Sequence, residues 1–147
     1  ILMFIGASPG STGGGIKTTT MFTLFRSIYS TATNKYCTAF KRKIPANTII
    51  KAFNLIILAL LVVCVGTFML SVLEPNYSFM QLLFETTSAF GTVGLSTGIT
   101  PDLTDPSKII ISIIMFIGRL GPMTMATIWS FKQTQGASYS EEAVIIG

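Results

Sequence analysis

Residues 52–73 carry no charged side chain. As an α-helix this stretch is about 33 Å long, enough to cross a hydrocarbon core of roughly 30 Å. Its flanks differ in sign. Residues 17–51 hold seven bases (Lys17, Arg26, Lys35, Lys41, Arg42, Lys43 and Lys51) and no acid, whereas residues 74–105 hold four acids (Glu74, Glu85, Asp102 and Asp105) and no base. A buried helix of a soluble protein explains the apolar run but not that asymmetry. Basic loops stay on the cytoplasmic side of a membrane, so 34–51 reads as a cytoplasmic loop and 52–73 as a span running outward. Composition agrees. Half of the 147 residues are apolar and 11% are charged, against about 25% charged in an average soluble domain. The mean hydropathy is +0.66. Disordered chains have more charge and fewer apolar residues. A secreted disulfide scaffold needs more cysteines than Cys37 and Cys64. The absence of His excludes His-based catalysis and His metal sites. The start at Ile1, inside an apolar stretch with no Met and no charged leader, reads as a truncation.

A second span is expected over 107–131, where Lys108 and Arg119 are the only charges. It returns to the cytoplasm, leaving 132–147 as a cytoplasmic tail whose apolar end, Ala143-Val144-Ile145-Ile146-Gly147, is expected to dock against something. Between the spans, 78–90 reads as a helix too short to cross. The uncharged Gly/Thr-rich stretch 91–98 follows it, and then an exposed turn at Pro101, Asp102, Asp105 and Pro106. This is the pattern of a re-entrant loop, which is tolerated at membrane depth only where protein buries it or water lines it. Residues 8–15 contain one Pro and four Gly, which a helix does not hold. Residues 1–33 therefore read as a broken transmembrane helix with an intramembrane loop, a feature that in transporters lies on the permeation path. The expected fold is an all-α, polytopic membrane protein. A helix (52–73), pore helix (78–90), filter (91–98) and helix (107–131) follow the broken helix and the basic loop.

Four residues carry the sharpest chemical signal: Thr92, Val93, Gly94 and Leu95. A dehydrated alkali cation needs a cage of oxygens, and extended backbone supplies carbonyls. Gly94 allows angles that a Cβ resists, and Thr92 adds a hydroxyl. Potassium-channel filters use such a loop; the plainer reading is a Gly/Thr packing turn. The run Gly10, Ser11, Thr12, Gly13, Gly14, Gly15, Ile16, Lys17, Thr18 misses the phosphate-loop pattern by one residue, since Ile16 separates Gly15 from Lys17.

Arg119 lies near the middle of the second span, where a charge faces a cavity or a partner; tying helices together through carbonyls is the structural alternative. Pro122 has no N–H, so it frees the carbonyl of Gly118. Glu85 suits a structural role, hydrogen-bonding backbone behind the loop, better than a place near the cations. Asp102 and Asp105 suit a turn better than a ligand set. Lys41, Arg42 and Lys43 read as an orientation signal touching anionic lipid, not as a nucleic-acid site. Asn76-Tyr77-Ser78 matches a glycosylation acceptor, a motif short enough to arise by chance.

Three motifs together carry a resemblance: Ser8–Thr18 with its Gly-rich run, Phe84-Glu-Thr-Thr-Ser-Ala-Phe-Gly-Thr-Val-Gly-Leu-Ser-Thr97, and Gly118-Arg-Leu-Gly-Pro122. In this order they resemble the Ktr/Trk/HKT superfamily of potassium transporters, with most likeness to the KtrB-type membrane subunit, over essentially the whole chain. The resemblance implies four helix–pore helix–helix repeats around one pore in the plasma membrane. This chain would be the end of repeat three plus repeat four. Gly10 to Gly15 would form the gate loop and Gly94 would be the filter glycine of repeat four. It implies K+ as transported ion, a homodimer, and a cytoplasmic nucleotide-binding regulatory subunit, with no enzymatic step. A sodium-selective or sodium-coupled relative, with Na+ as coupling ion, stays open as the alternative. A membrane-bound nucleotide-binding protein stands behind it.

Arg119 is expected to hold the gate loop through that loop's carbonyls, because its five donors find no acid within the span.

Overall fold

The computed structural model describes residues 2–6, 8, 13–33, 37–39 and 42–121. Among these residues four helices carry the fold: α1 (Thr18–Ala32), α2 (Ala46–Leu73), α3 (Phe79–Gly91) and α4 (Asp105–Leu120). A 3-10 turn at Thr100–Asp102 precedes α4. The basic stretch contains a two-residue antiparallel ladder, Thr38–Ala39 (β1) against Arg42–Lys43 (β2). The Ile44 N–H closes it, donating to the Cys37 carbonyl at 2.9 Å. With two residues on each side, this ladder leaves the expected all-α class standing.

Helix α2 begins after Pro45 and runs 28 residues, so it starts ahead of the charge-free stretch and takes in Lys51. Lys51 is exposed, and its long stem lets a charge sit at a helix end without being buried. Among the described residues α2 is the one helix long and apolar enough to cross a membrane. Ile57, Leu61, Phe68 and Val72 remain exposed along it. A helix apolar on all sides is suited to hydrocarbon or to a protein core, not to water.

Helix α4 ends at Leu120, and Gly121 leaves helical geometry at φ 90°, ψ 134°. A residue before proline is pushed out of the α region, and glycine takes positive φ without strain. Sixteen residues make α4 about 24 Å long. The rest of the expected span, 122–131, and the tail 132–147 lie outside the described residues.

Helix α3 packs against both α2 and α4. Phe90, Leu82, Leu70, Ile114 and Ile16 form the buried core. In a membrane, burial of such side chains adds little drive, because lipid is as apolar as they are; close packing and polar pairs matter more. Both are present. Gly66 of α2 faces Ile114 of α4 with no space for a further carbon. The buried Thr67 and Thr86 hydroxyls are 2.7 Å apart; one donates to the other, and the accepting hydroxyl keeps its own proton for a carbonyl of its helix, Val63 at 2.8 Å or Leu82 at 3.0 Å. An interhelical pair of this kind contributes about 0.6 kcal/mol.

Local chemistry sets where the helices start. Ser78 and Gln81 form a capping box at α3: Ser78 Oγ accepts the Gln81 N–H, and Gln81 Oε1 accepts the Ser78 N–H at 3.0 Å. At α4, Thr104 is the N-cap residue, and Asp105 lies in the first turn, where a negative charge offsets the helix dipole. The buried Glu74, which ends α2, reaches the same point. Its Oε1 accepts the Thr104 N–H and hydroxyl, both at 2.7 Å, and the buried Ser107 hydroxyl at 2.9 Å. These bonds, led by the Thr104 N–H, hold the Glu74 carboxyl below the usual carboxylate range. The end of α2 is thereby latched to the start of α4.

Candidate functional site

The three sequence motifs meet where α3 ends. Gly91 closes α3 and Thr92 follows in the left-handed region at φ 50°, ψ 39°. Two glycines at this point have no space for a side chain. A Cβ on Gly118 of α4 would lie 2.0 Å from the Phe90 carbonyl oxygen, and one on Gly91 would lie 2.3 Å from that of Met3. Gly14 and Gly15 enter the same junction. The Gly14 N–H donates to Thr92 Oγ1 at 3.0 Å, and the Gly15 N–H to the Gly118 carbonyl at 3.3 Å. That carbonyl is the one Pro122 cannot engage, having no N–H.

Residues 2–6 lie beside the run. They form a turn and a parallel bridge between Ile5 and Ile16. The Gly6 N–H donates to Ile16 O at 2.7 Å and the Ile16 N–H to Phe4 O at 3.1 Å. Phe4 stacks on Phe90 at 5.6 Å between ring centroids. The N–H groups of Gly14 and Gly15, which a phosphate loop would turn toward its ligand, are thus spent on partners inside the protein.

Beyond Thr92 the chain is non-helical through Gly98, and residues 93–98 are exposed. Gly94 and Gly98 take φ of 80° and 92°. No atom lies within 4 Å of where a Cβ would stand on either, so both are glycine for backbone reasons rather than for space. Glu85 organises this stretch from behind. It is 4% exposed. Its Oε1 accepts the Ser96 hydroxyl and the Thr97 N–H, both at 2.7 Å, and the Thr97 hydroxyl at 3.1 Å. Its Oε2 accepts the Thr100 hydroxyl at 2.9 Å. Four donors on one carboxylate satisfy a buried charge. Ser88 of α3 adds a bond to the Leu95 carbonyl, and the Val93 N–H returns to the Ser88 carbonyl at 3.0 Å.

Of the expected filter residues, Thr92, Val93, Gly94 and Leu95 lie together on this stretch. The Leu95 carbonyl accepts the Ser88 hydroxyl and is drawn toward α3. Of the expected gate residues, Gly13, Gly14 and Gly15 are at the junction, while Gly10, Ser11 and Thr12 lie outside the described residues. Arg119 follows Gly118 and is exposed. Asp102 closes the 3-10 turn, whose Pro101 carbonyl accepts the Lys108 ammonium at 2.9 Å. Glu74 has a definite role that residue spacing did not suggest.

Residues 1–141 match the family model described as TrkH, cation transport protein. The chain belongs to the TrkH family. It is 43% identical over 150 residues to the Ktr system potassium uptake protein B of Bacillus subtilis (strain 168), covering 100% of this chain and 33% of that protein. To the Ktr system potassium uptake protein D of the same organism it is 43% identical over 148 residues, covering 99% of this chain and 33% of that one. To the potassium/sodium uptake protein NtpJ of Enterococcus hirae it is 39% identical over 153 residues, covering 99% and 34%. The chain spans about a third of the length of these curated relatives. The potassium-transporter resemblance carried by the three motifs is therefore correct at the level of the family.

Proposed function

We propose that this chain is part of the pore-forming subunit of a potassium uptake system in the plasma membrane, with 92–95 as one quarter of its selectivity filter. The observation that carries this reading is the Glu85 set. A buried carboxylate takes four hydrogen bonds from Ser96, Thr97 and Thr100, and so fixes an exposed, glycine-bearing, non-helical stretch at the C-terminal end of a short helix. The C-terminal end of a helix carries partial negative charge, which favours a cation near Thr92. The carbonyls of Thr92, Val93 and Gly94 are the proposed ligands, and Leu95 fastens the stretch to α3 through Ser88. In this reading α3 is the pore helix, α2 and α4 flank it within a multi-pass membrane protein, and the basic stretch is cytoplasmic.

The Gly-rich run, 10–15, is the proposed gate below the filter, with Arg119 as its anchor. A homodimer and a cytoplasmic nucleotide-binding regulatory subunit complete the assembly. Ions move down their electrochemical gradient, which a negative interior favours by about 2.3 kcal/mol per charge per 100 mV.

The name of one relative, a potassium/sodium uptake protein, supports a second reading in which Na+ is carried or coupled. One experiment tests both. The full-length parent is expressed in cells lacking other potassium uptake systems, and uptake is measured with K+ and Na+ in competition. Gly94→Ser is expected to lower K+ uptake and discrimination against Na+, because a side chain at φ 80° strains the backbone. Unchanged uptake and ion ratio would remove Gly94 from the filter. Uptake of K+ that requires Na+ would favour the coupled reading.

A further inference from the structure

Thr92 stands at the joint between two parts of the proposed pathway. Its φ of 50° places a β-branched residue in a region such residues rarely occupy. Two bonds hold it there. Its N–H donates to the Ala89 carbonyl at 3.0 Å, and its Oγ1 accepts the Gly14 N–H at 3.0 Å from 78 residues away. The second contact is tight on the Gly14 side. A Cβ on Gly14 would lie 2.8 Å from Thr92 Oγ1, 2.9 Å from Thr92 Cγ2 and 3.2 Å from the Gly118 carbonyl oxygen. The Gly15 N–H seats the same loop on that Gly118 carbonyl.

A hydroxyl oxygen that accepts an N–H has less to give a cation. One lone pair is used, and the positive end of the amide dipole is held close to where the ion would bind. Seating the loop therefore changes the ligand quality of the residue that opens the filter stretch.

We propose that Thr92 links the loop at 13–15 to the stretch 92–95, so that ion preference depends on where the loop lies. With the loop seated, the Gly14 N–H occupies the Thr92 hydroxyl oxygen. With the loop withdrawn, that oxygen coordinates the permeating alkali cation. This rests on the pore reading above. Thr92 is a ligand in one arrangement and a positioning residue for the loop in the other. A purely structural role would give no dependence of selectivity on the loop.

The test uses the full-length parent in proteoliposomes, with potassium and sodium fluxes measured separately. Deleting residues 13–15 is expected to shift the potassium/sodium ratio about fivefold when Thr92 is present, the size one hydrogen bond carries. In Thr92→Val, which lacks the hydroxyl, the same deletion is expected to shift the ratio by less than about twofold. Gly14→Ala provides a milder route, since its Cβ displaces the loop from Thr92 without shortening it; it should reproduce the deletion in the Thr92 protein and not in Thr92→Val. Equal shifts in both backgrounds overturn the link. A ratio that responds to Gly94→Ser but to neither loop variant also overturns it, while leaving the pore reading intact. A ratio that responds to none of the variants overturns the pore reading itself, and the link with it.

Discussion

The Glu85 carboxylate accepts the backbone N–H of Thr97 at 2.7 Å, twelve residues further along the chain. The same oxygen also takes two hydroxyls and the other oxygen takes a third, so one side chain sets the path of the whole exposed stretch. Glu85→Ala leaves these donors without an acceptor and is expected to cost about 3 kcal/mol of folded-state stability. Glu85→Gln keeps one carbonyl oxygen for Ser96 and Thr97 and presents an amide to Thr100, whose hydroxyl can turn to accept; about 1 kcal/mol is expected. Thermal unfolding of the purified full-length parent, with ion discrimination measured alongside, separates the two. Equal losses for both variants would show that Glu85 acts through its charge and not through this hydrogen-bond pattern.

Glu74 makes the α2–α4 latch sensitive to acid. Its folded-state pKa lies below the ordinary value of 4.5, chiefly because of the Thr104 N–H. The unfolded chain therefore binds this proton more readily. The latch contributes fully above the ordinary value and is lost as pH falls through the lowered one. The unfolding midpoint of the parent should drop on acidification from about pH 5 downward, and Glu74→Gln should flatten that acid limb. Superimposable pH profiles for the two proteins would exclude the latch as a contributor.

The parts of the fold that follow from local pattern were legible, and the parts made by distant pairs were not. Charge asymmetry located α2, yet its start six residues earlier, at Ala46, depends on how far Lys51 can extend, which a charge count does not weigh. The Ser78-Phe79-Met80-Gln81 spacing is a readable helix start, and the expected short helix begins at the same Ser78 that caps α3. Covalent chemistry alone predicted a spare carbonyl at Gly118; nothing local named Gly15 as its donor. The Glu85 reading needed only eleven to fifteen residues of separation, and backbone hydrogen bonding behind the loop was foreseen. Glu74 with Thr104 and Ser107, or Gly14 with Thr92, join segments 30 to 78 residues apart. Only the packing of α3 between its neighbours brings such pairs together.

Orientation is testable with single cysteines. Cys37 and Cys64 are first replaced in the full-length parent, since Cys64 is exposed. With the basic stretch inside, Asp102→Cys is expected to react with an impermeant thiol reagent on intact cells, and Arg42→Cys only after permeabilisation. Labelling of Arg42→Cys from outside would invert the topology and, with it, the assignment of the gate to the cytoplasmic side of the filter.

Two glycines at helix contacts separate tolerance from necessity. A Cβ on Gly66 would meet Ile114 Cδ1 at 2.5 Å, the tip of a flexible side chain; one on Gly118 would meet the Phe90 carbonyl oxygen at 2.0 Å, which is backbone. A side-chain tip can rotate away, whereas backbone can yield only if α3 and α4 separate. That separation would also pull the Gly118 carbonyl from Gly15 and loosen the junction around Thr92. Gly66→Ala is therefore expected to cost about 1 kcal/mol, the lower end of overpacking losses. It should be relieved by Ile114→Val, which removes the clashing methyl. Gly118→Ala is expected to cost about 3 kcal/mol, with no relief from any change at Ile114. Unfolding midpoints of the single and double variants in the full-length parent decide the matter. If Ile114→Val rescued both glycine variants alike, α4 would be shifting as a body, and the close approach at Gly118 would not be what holds the junction together.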